Sequence, residues 1–165
     1  MHGQRFIQIA VTCAAAAAFL ACNPFANKQQ VGQIDPKNST ASTRWNGTLS
    51  TPSGMTGAVD LHGTATLEAV GPNKSVATVS ITNAAPQGAH PWHVFQGQCG
   101  DSGVVVGTAS AYPLLNVDND GRASARAMLP LELPTSGAYY VIVNASAANM
   151  QTVVACGNLA PPNAG

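Results

Sequence analysis

Four stretches decide the fold class of this chain: "GTATLEAV" (63–70), "KSVATVSITN" (74–83), "GRASARAML" (121–129) and "GAYYVIVN" (137–144). Each alternates, or is rich in β-branched and aromatic residues, and they are separated by the turn-formers "GPNK", "DNDG" and "PTSG". Successive strand side chains point to opposite faces, so Ala77, Val79 and Ile81 share one face of their segment and Val76, Thr78 and Ser80 the other. Short strands broken by turn residues at this spacing predict an all-β, antiparallel sandwich or barrel. Helix signals are scarce, although "ASAANM" (145–150) reads as one short helical turn. No internal repeat is visible.

The N-terminus belongs to a different regime. One Arg, an apolar run of sixteen residues from Phe6 to Ala21, then Cys22 and a polar stretch read as a secretory signal. The run holds Gln8 and Thr12 and is short for a span, although a retained membrane anchor is the other reading. "FLAC" (19–22) resembles the lipobox of bacterial lipoproteins, whose Cys becomes the lipidated first residue of the mature chain. With Asn23 following, the expectation is an exported protein of the bacterial cell envelope, an outer-membrane lipoprotein held to the membrane through lipid on Cys22. The predicted organisation is a signal peptide at 1–21, a disordered tether at 22–44, a β domain at 45–160 and a tail at 161–165.

Of the four cysteines, Cys13 lies in the signal and Cys22 carries the lipid. Cys99 and Cys156 remain, and an oxidising compartment predicts a disulfide between them. Between Trp45 and Ala160 three cationic side chains face six carboxylates, a balance of −3. That excludes nucleic acid as a partner and gives no field that would steer an anion.

The second half of the chain resembles the copper/zinc superoxide dismutase family. "GAHPWHVFQGQCG" (88–100), "VDNDGRASARA" (117–127), "YYVIVNASAANM" (139–150) and "VVACGNL" (153–159) carry the likeness, in the family's order, with Cys99 and Cys156 where the family places its disulfide. The resemblance implies an eight-stranded antiparallel Greek-key β-barrel, and a copper ion beside a zinc ion that together dismute superoxide to dioxygen and hydrogen peroxide.

The ligands do not carry over with the barrel. The family's paired copper ligands match His93 and Phe95, its late copper ligand matches Asn144, and its anion-guiding arginine matches Val153. The loop that should supply the bridging and zinc ligands, "GDSGVVVGTASAYPLLN" (100–116), has no histidine. Beyond the signal the chain has three histidines, His62, His90 and His93, whereas the family's two ions use six imidazoles and a carboxylate. His90 matches a structural histidine of the family, which leaves His93 as the single surviving copper-ligand position.

Other sites fail on their own residues. "NVDNDG" opens like an EF-hand loop but begins with Asn116 and has Ala127 at the twelfth position, so "DNDG" reads as a hairpin turn. No nucleophile elbow is present. Trp92, Tyr139 and Tyr140 read as packing residues. The sequons at Asn38, Asn46, Asn73 and Asn144 read as incidental in a bacterial lipoprotein. The expected function is a dismutase-like envelope module without a cofactor, binding an unknown protein or small molecule or serving a structural role. A dismutase with an atypical copper site on His62, His90 and His93, or weak copper sequestration, stands as the alternative.

Overall fold

In the computed structural model residues 44–55 and 60–162 are described, all within one unit, Lys37–Gly165. The signal segment, Cys13, Cys22, Asn38, the tether up to residue 43 and the tail from 163 lie outside the described residues.

Among the described residues nine strands follow in order: β1 (Arg44–Ser50), β2 (His62–Gly71), β3 (Lys74–Thr82), β4 (Ala89–His90), β5 (Trp92–Gln96), β6 (Leu115–Asn116), β7 (Ala123–Leu129), β8 (Tyr139–Ser146) and β9 (Asn149–Leu159). The only helical pieces among the described residues are the 3-10 turns Ser53–Met55 and Ala109–Ala111, and none is long and apolar enough to cross a membrane. Seven strands form one antiparallel sheet in the order β5-β8-β9-β1-β2-β3-β7, curled into a half-barrel, and β4 pairs with β6 separately.

The alternation in the sequence is what buries the concave face. Along β7, Ala123, Ala125, Ala127 and Leu129 are buried while Ser124, Arg126 and Met128 face water. Trp45, Leu49, Leu67, Val79, Ile81, Trp92, Val94, Val141 and Val143 belong to the same core, each at most 2% exposed. Both buried indoles reach a carbonyl, Trp45 that of Pro134 and Trp92 that of Pro113, each at 2.7 Å, so neither buries an unpaired N–H.

Two glycines lie where β9 meets β1. The register of the two strands runs through the single pair Ser50↔Cys156, with an isolated bridge at Asn46↔Ala160. Between those points Gly47 lies against the backbone of Asn158 and Gly157 against that of Thr48, too close for a Cβ at either position. Two glycines facing each other's strands let the backbones approach where side chains would hold the sheet open.

Two local expectations are corrected. "ASAANM" is no helical turn: β8 runs to Ser146, β9 starts at Asn149, and the two pair across Ala147–Ala148. Six residues cannot meet the cost of helix nucleation, while a two-residue hairpin extends a ladder that already exists. "DNDG" does turn, with the Asp118 carboxylate accepting from the N–H groups of Asp120 (2.9 Å) and Arg122 (2.8 Å), but it does not join paired strands. β6 pairs with β4 and β7 with β3, because the segment before the turn bonds back to the 87–90 stretch: Gln87 N–H to Val117 O (3.1 Å) and Val117 N–H to Gly88 O (2.8 Å).

Candidate functional site

The residues singled out near the family's metal ligands come from distant parts of the chain, and the register of three adjacent strands assembles them. On β5, Trp92 and Val94 point into the core, so His93 and Phe95 point outward. Their partners on β8 are Ile142 and Tyr140, and Ile142 and Asn144 pair in turn with Cys156 and Val153 on β9. An irregularity between Val143 and Asn144 shifts that last register and brings Val153, rather than Val154, opposite Asn144. His93, Phe95, Asn144 and Val153 thus occupy one outward patch.

Packing occupies this patch. The Phe95 ring stacks on Tyr140, with centroids 5.3 Å apart and planes at 22°. Tyr140 is fully buried, and its hydroxyl donates to the Asp101 carbonyl (2.7 Å) and accepts from the Gly103 N–H (3.2 Å), so the loop after β5 is tied down over the strand. His93 meets Tyr112 edge-on at 5.0 Å and Phe95 at 6.0 Å. Burial holds the His93 imidazole below the usual histidine range, against a smaller opposing effect of a hydrogen bond to the Ala109 backbone. Burial pushes the Tyr112 phenol up to about 12, and its hydroxyl donates to the Val106 carbonyl at 2.7 Å.

Asn144 is 5% exposed and committed on several atoms. Its side-chain amide donates to Met150 O (2.8 Å), its backbone N–H donates to Pro91 O (2.8 Å), and its carbonyl lies 3.0 Å from His90 Nδ1. A carbonyl partner makes Nδ1 the protonated nitrogen. The other ring nitrogen, Nε2, is buried without a partner against Gly88, where a Cβ would come within 2.9 Å. His90 therefore joins the β4 segment to the end of β8.

The chemistry of this donor set does not fit copper or zinc. One imidazole stands beside a phenyl ring and an amide whose nitrogen is already donating, where a copper or zinc site needs three or four imidazole, thiolate or carboxylate donors. His62 opens β2, exposed, with Nε2 3.2 Å from Asp60 Oδ1. Among the described residues no three of His, Cys, Asp or Glu lie together as a possible metal group, so His62, His90 and His93 do not form one.

Beside the patch runs a groove of about 710 Å3. Its lining is made by Ile142, Val153, the Cys99–Cys156 disulfide, Ser50 to Ser53, Gly100 and Asp101. Sequence reasoning missed Tyr112 and Asp101. Tyr112 had a weak signal, as the only aromatic residue in the Gly-, Ala- and Ser-rich 97–116 loop, whereas nothing around Asp101 in the sequence points to a groove.

No protein-family model matches this chain, and a search of curated proteins finds no relative.

Proposed function

We propose that this chain is an exported, lipid-anchored member of the copper/zinc superoxide dismutase family whose metal site has been converted into packed surface, and that it serves as a non-catalytic binding or structural module of the cell envelope. The observation that carries this is the register. Residues chosen by likeness alone, His93, Phe95, Asn144 and Val153, fall on one outward patch of β5, β8 and β9, beside the disulfide. In this reading the barrel is eight-stranded and Greek-key. The segment between the two edge strands β5 and β7 takes the place of the remaining strand, with its Phe95↔Val105 bridge and its β4–β6 pair.

Catalysis by the family needs a metal that changes oxidation state while its ligands stay fixed, and a positive guide for superoxide. Here Phe95 presents a ring where a hydrated cation would have to shed water without gaining a donor. Val153 presents a methyl pair to an approaching anion. The test is metal content by inductively coupled plasma mass spectrometry, on chain refolded with copper and zinc, together with a superoxide assay. Well under one copper per chain and no dismutation are expected. Equimolar copper with dismutation overturns the reading, and copper bound without turnover would replace it with sequestration.

A further inference from the structure

We infer that the groove beside the disulfide is a binding site for a small organic cation: a protonated amine on a compact apolar body. The inference rests on the groove's geometry alone, so it stands or falls separately from the family reading.

Its volume of about 710 Å3 lies within the range of roughly 300–1,000 Å3 typical of small-molecule sites. Ile142, Val153, Pro52 and the two half-cystines offer hydrocarbon and sulfur surface to an apolar ligand. Among the described residues the lining contains no Lys, Arg or His, and its one ionisable side chain is Asp101. That carboxylate is held in place: Oδ2 accepts from Gln98 N–H (2.8 Å), the Asp101 N–H donates to Gln98 O (2.9 Å), and the Asp101 carbonyl accepts from the buried Tyr140 hydroxyl (2.7 Å).

Among the described residues Asp101 has no ion-pair partner. The ion pairs among the described residues are Arg44 with Glu68 and His62 with Asp60. Asp101 is exposed, so its charge acts with the modest strength of a surface pair, favouring a cation in the groove and disfavouring an anion. A bare metal ion is a poor match, because one carboxylate and a hydrocarbon wall cannot replace its hydration shell. A neutral apolar molecule would use the wall and leave the charge unused. An alkyl- or arylammonium ion uses both.

The test is a set of chemical-shift titrations of the full chain, disulfide intact, with benzylammonium chloride, benzyl alcohol and sodium benzoate. Benzylammonium should give saturable shifts at the Ile142 and Val153 methyls and the Asp101 amide. Benzyl alcohol should bind there about fivefold more weakly, as expected for losing one exposed charge pair, and benzoate should leave these signals unmoved. Asp101→Asn, which keeps an oxygen to accept from Gln98, should bring benzylammonium down to the level of the alcohol. Equal affinity for the three probes, shifts mapping elsewhere, no saturable shift, or indifference to Asp101→Asn would each overturn the assignment. The comparison of the three probes on the natural chain needs no variant to fold.

Discussion

His93 shows how one side chain keeps an ancestral position in the proposed reading while its chemistry changes. Burial beside Tyr112 lowers its pKa from the ordinary 6.5, so the folded chain favours the neutral ring more than the unfolded chain does. Its contribution to stability is therefore fully present above 6.5 and is lost as the pH falls through the lower folded value. The urea midpoint should drop over that interval, and His93→Gln should remove part of the drop; parallel pH profiles for the two chains would contradict this. Phe95 and Asn144 were legible as departures from a ligand pattern, because identity is a property of the sequence. That Phe95 stacks on Tyr140, and that Asn144 donates to Met150 across the hairpin, was not legible, since each contact joins residues on different strands.

Among the elements, β5, β8 and β9 carry the argument, because their pairing decides which side chains share a face. A slip of one residue in β8 would turn Ile142 and Asn144 inward and bring Val141 and Val143 out. Because of that register, Phe95→His with Asn144→His would place three imidazoles, with His93, on one outward patch. That double variant should take up copper toward an equimolar amount under conditions where the natural chain does not, read by metal analysis and a Cu(II) spin-resonance spectrum. Failure of a folded double variant to gain copper would count against the shared patch. The strand segments themselves were readable: 63–70, 74–83, 121–129 and 137–144 became β2, β3, β7 and β8 with small changes at their ends. The two turns beyond them were misread, because hairpin and helical turn differ in what the flanking residues pair with rather than in composition.

For the whole molecule, the disulfide is the strongest covalent constraint. Cys99 and Cys156 are 57 residues apart in the chain, and their link ties the loop after β5 to β9 near the seam with β1. Restricting the unfolded chain over such a loop contributes about 4 kcal/mol in the chain-entropy model, a large part of the roughly 5–15 kcal/mol that separates folded from unfolded domains. Cys99→Ser with Cys156→Ser should lose about that much in urea unfolding; a loss below roughly 1 kcal/mol would show that the native strands already hold the loop. The sequence by itself determined the all-β class, the faces of the strands and the shortage of imidazoles, because period, composition and count are local or additive properties. Only the tertiary structure decided that His93, Phe95, Asn144 and Val153 share a patch, that its space is filled by rings, and that Asp101 lines a groove. Those facts depend on strand order and register, which long-range pairing selects and no short stretch of chain encodes.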